Sequence, residues 1–352
     1  MQRFVVGTGR CGSTLLSRML AECPGVASLC EFFNGLDIAR RFAPEPISGA
    51  AFAELISSEQ PMVSAVLRRG YRVEEIAYPF ADESGSPGPR GRYVRDDALP
   101  WILVALLPRL SDAPDDLFEA LQAFAIGLPE APPRDHYLAL FDWLARQTGQ
   151  RMWIERSGSS IDYAGELIRL YPEARFLHLH REGPEVALSM REHHAYRLPI
   201  SLIYDAPLAD GRRVSELPPL DFEAPARTGD TLSLVLAGRP SAEHFGRYWS
   251  DQVERGRPCL DVLPAERLLE VSFEALLKDP KPRLREIANF FTLDSQGNGD
   301  GWVERAASLI RATPRARLPE LDAEERQRLI EACSPGTRLL AAEGAGGEVA
   351  LR

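Results

Sequence analysis

The feature that most constrains this chain lies at its start, where Arg3–Val6 is a short apolar run and Gly7-Thr8-Gly9-Arg10-Cys11-Gly12 follows it directly. Ser13–Ala21 then carries Leu15, Leu16, Met19 and Leu20 at helical spacing. A buried strand, a glycine-rich turn and a helix in that order open a parallel α/β sheet, and the backbone N–H groups at the start of such a helix make an anion site. Pro24-Gly25 ends the helix. Val26–Leu29 reads as a second strand, whose carboxyl end delivers Cys30, Glu31, Phe32 and Phe33.

The same rhythm returns after residue 150. Arg151–Glu155 reads as a strand, Ile161–Leu170 as a helix and Arg175–His180 as a strand, and Pro184 opens a helix through about Tyr196. A helix (Ala242–Arg255), a strand (Arg267–Val271), a helix (Pro282–Phe291) and a mostly helical end complete the chain. Residues 40–150 are helical in pattern, interrupted by a loop at Asp82–Gly91, and residues 199–240 are rich in Pro, Gly and Asp and read as an irregular excursion. The expected class is α/β: a P-loop-like parallel sheet flanked by helices, one domain over 1–352, with 40–150 as a helical insertion.

Composition removes several alternatives. Of the 41 basic residues only Lys278 and Lys281 are lysines, so the first 277 residues cannot supply a Walker-type or Schiff-base lysine. A formal net charge of −10 argues against a broad grip on nucleic acid or anionic lipid, so any bound anion must be held by local cations. The most apolar stretch, Trp101–Leu107, is far too short to span a membrane. A strand directly after Met1 leaves no room for a signal peptide, and Cys11, Cys23, Cys30, Cys259 and Cys333 are too sparse for a disulfide framework. These points predict a cytoplasmic protein with free thiols.

Ligands of open parallel sheets bind outside the carboxyl ends of the strands. Those ends hold Gly7–Thr14, Glu31, Arg156-Ser157, Arg181 and Ser272–Glu274. Arg10 and Arg181 are separated cations, Ser13 and Thr14 add hydroxyl donors, and Glu31 is the carboxylate placed to act as a base. The loop also fits Gly-x-Gly-x-x-Gly, with Glu31 where a dinucleotide fold places its ribose-binding acid. A nucleotide-dependent oxidoreductase with a Rossmann half and a non-enzymatic nucleotide-binding protein therefore stay open. Cys11 reads as a small filler, His178 and His180 as packing residues, and His193-His194 as a helix surface with no spaced partner for a metal.

Three blocks of sequence carry a resemblance. Val5–Leu16 looks like the 5′-phosphosulfate-binding loop of the sulfotransferases that use 3′-phosphoadenosine 5′-phosphosulfate (PAPS). Arg175–Ser189 is similar to their 3′-phosphate-binding strand and helix, and Leu268–Leu293 resembles a third block of the family. Cys30-Glu31-Phe32-Phe33 is similar to a segment of bacterial and tyrosylprotein-type members. The resemblance implies that Arg10, Cys11, Gly12, Ser13 and Thr14 hold the phosphosulfate and that Arg181 and Ser189 hold the 3′-phosphate. It also implies that Glu31 deprotonates an acceptor hydroxyl and that Arg10 and Arg156 stabilise the transferring group, with no metal required. The implied partner is a small-molecule or carrier-bound hydroxyl acceptor, with 40–150 as the acceptor-binding subdomain. Cys11, where serine is common, and Glu185, where aspartate is frequent, depart from the pattern, and Thr313–Arg317 has no assigned role.

Overall fold

The fold is seen in a computed structural model that describes residues 1–82, 90–208, 210–227, 229–293, 299–311 and 314–341. Most of the loop expected at Asp82–Gly91 and Thr313 of the C-terminal segment lie outside the described residues.

The opening unit is β1 (Arg3–Val6), α1 (Ser13–Ala21) and β2 (Val26–Cys30). Helices α2 (Gly49–Ile56), α3 (Pro61–Arg68), α4 (Pro114–Ile126) and α5 (Pro133–Gln147) follow, with a wide π-type turn at Ile102–Leu106 between α3 and α4. The sheet resumes with β3 (Met152–Arg156), α6 (Ala164–Leu170), β4 (Arg175–His180), α7 (Gly183–Arg191), α8 (His194–Ile203), α9 (Thr231–Ala237), α10 (Ala242–Asp261) and β5 (Leu268–Ser272). The chain ends through α11 (Phe273–Lys278), α12 (Pro280–Phe291), α13 (Gly299–Ser308) and α14 (Ala323–Ala341).

All five strands run parallel, in the order β2-β3-β1-β4-β5. Side chains alternate across the pleat. Phe4, Val6, Leu29, Trp153 and Phe176 enter one core with α5, α6 and the helices of 40–150. Val5, Ile154, Leu177, Leu179 and Val271 enter a second core with α1, α12 and α13. Both faces are thus covered, which is why the strands are almost wholly apolar. This is the α/β sheet flanked by helices that the sequence predicts.

Two details differ from expectation. The helix expected from Pro184 to Tyr196 is two, broken at Glu192-His193, where His193 enters the interior and caps α8. The described residues of 199–240 contain the end of α8, a 3₁₀ turn at Val214–Glu216 and α9, whose N-cap Asp230 accepts from Ser233 N.

Strand order also fixes where a ligand can sit. From β1 the chain goes to one side for β2 and β3, then crosses to the other for β4 and β5, so the switch point lies at β1 and its neighbours. A Rossmann half places β2 next to β1, whereas β3 intervenes here. Two strand spacings, roughly 10 Å, then separate the end of β2 from the loop after β1.

Candidate functional site

The turn after β1 is shaped by its glycines. Gly12 lies at φ +97°, and a Cβ there would sit 2.1 Å from the Phe273 ring; a Cβ on Gly9 would meet the Tyr196 hydroxyl at 1.8 Å. The turn therefore packs under α8 and α11 with bare backbone. Among the described residues, no backbone carbonyl accepts from the amides of residues 10–14, which lead into α1. Amide donors at the N-terminus of a nine-residue helix favour an anion.

One cleft gathers most of the residues singled out from the sequence: Arg10, Gly12, Ser13, Thr14, Glu31, Arg156, Arg181 and Ser189 all line it. Cys11 does not. Its side chain is fully buried in the core beneath the loop, where burial pushes the thiol up, so only its amide faces outward chemistry.

Arg10 and Glu31 both adopt φ +61°, the left-handed region that costs a side-chain-bearing residue on the order of 1 kcal/mol or more. Each is held by its contacts. Arg10 reaches out of the loop to Glu74 at 2.7 Å and Glu75 at 3.7 Å, and its Nε donates to Ser189 Oγ at 3.2 Å. Glu31 N donates to Arg156 O, extending β2 by one residue. Its carboxylate accepts from Asn34 Nδ2 at 2.7 Å and Gly158 N at 3.0 Å, and forms a close ion pair with Arg156.

The Glu31–Arg156 pair is nearly inaccessible, at 3% exposure for each residue. Burial pulls the guanidinium down, but Glu31 outweighs it and holds Arg156 above the ordinary arginine range. Among the described residues, the buried Arg156 Nε has no hydrogen-bond partner, so the group retains a donor. Behind the pair, Glu155 points to the other face of the sheet. Ser157 Oγ donates to its Oε1 at 2.6 Å and accepts from Phe33 N, while Oε2 has no partner among the described residues. Burial pushes Glu155 up to about 8, with Glu31 adding to the rise and Ser157 opposing it.

Arg181, at the end of β4, is loosely held. Nη1 lies 3.4 Å from Arg10 O, Nη2 lies 4.0 Å from Glu185, and the guanidinium covers the Phe273 ring. Glu185 instead accepts from the amides of Arg317 and Leu318, tying the C-terminal segment to α7 beside Arg181. A charge-assisted hydrogen bond from so weakly engaged a cation should matter for an anion in the cleft. Replacing Arg181 by alanine is expected to weaken binding of 3′-phosphoadenosine 5′-phosphate by about 1.5–3 kcal/mol, roughly 10- to 150-fold, in calorimetric titration. An unchanged dissociation constant would take Arg181 out of the site.

The remaining walls carry residues to which the sequence assigns no role in a site. Asn34, Gln60, Glu74, Glu75, Trp101, His193 and Tyr196 join the cleft from the 31–101 region and α8. Burial pushes Glu75 up, but His193, 3.0 Å away, and Arg10 overcome it and hold the carboxylate below its usual range. His193 is therefore a buried wall residue rather than part of a helix surface. The Trp101 indole donates to Glu31 O at 2.6 Å, and Gln60 donates to Asn34 O at 2.6 Å, so the turn after β2 is clamped from outside the sheet. Of these, only Asn34 had a local signal, three residues past Glu31.

No protein-family model matches the chain, and no curated protein does. Among solved structures, the chain is similar to the sulfotransferase domain of the Synechococcus PCC 7002 olefin synthase, at 17% identity over 97% of this chain and 94% of that one, TM-score 0.43. It is similar to sulfotransferase STF9 from Mycobacterium avium at 15% identity over 99% and 77%, TM-score 0.45. It also matches the sulfotransferase domain of the curacin biosynthetic pathway at 14% identity over 95% and 97%, TM-score 0.43.

Proposed function

We propose that the chain is a PAPS-dependent sulfotransferase of the bacterial and tyrosylprotein-type branch, acting in the cytoplasm on the hydroxyl of a small-molecule or carrier-bound acceptor. The observation that carries this reading is the meeting of three groups in one cleft: the amides of a loop that leads into a helix, the side chains of Arg181 and Ser189, and the Glu31–Arg156 ion pair. A ligand with two separated anionic groups fits the first two, and a reacting hydroxyl fits the third.

In this reading the amides of residues 10–14, with Ser13 and Thr14, hold the 5′-phosphosulfate, and Arg181 and Ser189 hold the 3′-phosphate. The donor supplies the sulfuryl group; positioning, proton removal and charge stabilisation fall to the chain. Glu31 takes the acceptor proton. Arg156, with its spare Nε donor, and Arg10 offset charge that builds on the transferring oxygens, without a metal. Arg10 is engaged by Glu74 and Glu75, so holding the donor means exchanging those carboxylates for phosphate oxygens. The single domain spans 1–352, and 40–150 forms the acceptor side.

The dinucleotide reading is disfavoured by the interposed β3 and by the ion pair that occupies Glu31. Calorimetric titration of the metal-stripped protein with 3′-phosphoadenosine 5′-phosphate, ATP and NAD tests the choice. The expected order has the 3′,5′-bisphosphate binding by far the tightest. NAD binding as tightly would restore the oxidoreductase, and tight binding without transfer to any hydroxyl would leave a binding protein.

A further inference from the structure

The charges that line the cleft are sorted by side. Its arginines, Arg10, Arg156 and Arg181, come from the loop and the strand ends, whereas the wall built by residues 31–101 carries Glu31, Glu74 and Glu75 and, among the described residues, no arginine or lysine. Two of these carboxylates have partners outside the loop: Arg156 for Glu31, and His193, 3.0 Å away, for Glu75. Glu74 differs. Its side chain is 58% exposed and pairs with Arg10 Nη2 at 2.7 Å, and no other cation forms an ion pair with it among the described residues. All three nitrogens of Arg10 are engaged within the chain, Nη2 by Glu74, Nη1 by Glu75 at 3.7 Å and Nε by Ser189 Oγ at 3.2 Å. A phosphosulfate on the loop can take Arg10 only if a carboxylate lets go. Glu75 then keeps His193, and Glu74 keeps no cation.

We propose that the acceptor is a short amino alcohol, whose hydroxyl meets Glu31 and whose ammonium replaces Arg10 at Glu74 once the donor is bound. This rests on the sulfotransferase reading and names the charge of its acceptor. An acceptor bearing a carboxylate or a phosphate would face three glutamates on that wall, so the cleft discriminates by repulsion as well as by attraction. Its volume of about 250 Å³ suits a compact acceptor. Nucleotide and cationic acceptor also help each other to bind, because each takes one half of the Arg10–Glu74 pair.

The experiment uses NMR titration of the full chain at low ionic strength, with and without saturating 3′-phosphoadenosine 5′-phosphate. It compares unbranched amino alcohols of two to six carbons with the 1-alkanols and ω-hydroxy acids of matching length. With the bisphosphate bound, the best amino alcohol is expected to bind roughly two- to fivefold more tightly than its alkanol, the effect of one half-exposed ion pair, and its hydroxy acid more weakly than either. Without the bisphosphate the preference should vanish, since Arg10 then holds Glu74. Glu74→Gln should abolish the preference and, by sparing Arg10 the exchange, tighten bisphosphate binding by up to about fivefold. A preference that survives Glu74→Gln places the ammonium on the bound phosphate and overturns the inference. Equal affinity for all three kinds of alcohol, with the bisphosphate bound, overturns it too, and in both cases the sulfotransferase reading stands. Failure of the bisphosphate to bind overturns that reading instead.

Discussion

Glu31→Gln is expected to lower turnover on the acceptor by about 10²–10⁴-fold, the usual effect of removing a general base, while the dissociation constant for 3′-phosphoadenosine 5′-phosphate changes little. Glutamine keeps the shape but has one oxygen where Glu31 uses two, one toward Arg156 and one toward Asn34 and Gly158 N, and it cannot take a proton. It also leaves Arg156, at 3% exposure, without its counter-charge. Breaking a buried ion pair from one side costs roughly 3–5 kcal/mol, so the variant should unfold at lower denaturant concentration. Bisphosphate affinity serves as the control for folding. A large loss of nucleotide affinity with full turnover at saturation would make Glu31 a cofactor ligand and remove it from proton transfer.

The second large effect concerns Glu155. Its carboxyl is fully buried, has one oxygen without a partner, and is pushed up to about 8 from an ordinary 4.5 by burial. The folded chain therefore keeps this proton where the unfolded chain has released it. The stability it contributes is full below pH 4.5, falls as pH rises from there toward 8, and is level above. Across that window the loss amounts to about 5 kcal/mol. Glu155→Gln, which retains the bond to Ser157, should remove this slope: urea midpoints of variant and parent should lie close at pH 5 and diverge in the variant's favour by pH 8.5. A constant difference between the two proteins across this range would show that Glu155 ionises in the folded state as freely as in water.

Much of the sheet is legible in the sequence because its strands are short apolar runs bounded by turns. β1 and β4 lie where the pattern puts them, and β2, β3 and β5 end one residue later. Their order is not legible, since nothing local says that β3 inserts between β2 and β1 after a long helical passage. Within the cleft, residues at strand ends and in the loop could be named because topology delivers them to one edge. Glu75, Trp101 and His193 could not. They come from segments without a motif, and the break that turns His193 inward has neither glycine nor proline to announce it; burial against Glu75 and Tyr196 accompanies it. The Glu31–Arg156 ion pair was equally hidden, because the two residues are adjacent only through the register that sets Cys30 beside Arg156.

That register also bears on how the chain is made. Val5 lies opposite Arg156 on one side and Leu177 on the other, and β2 pairs with β3. Neither early strand has a partner nearby in sequence, so both emerge from the ribosome with unsatisfied edges. At roughly 5–20 residues per second, β1 waits on the order of ten seconds for its first neighbour. The helices of 49–147 rely on local bonding and can form in that interval, whereas the sheet must close by long-range encounter. Slowing translation just after residue 180, or holding the nascent chain on a chaperone until then, should therefore decide the yield of folded protein more than any single contact in the finished sheet.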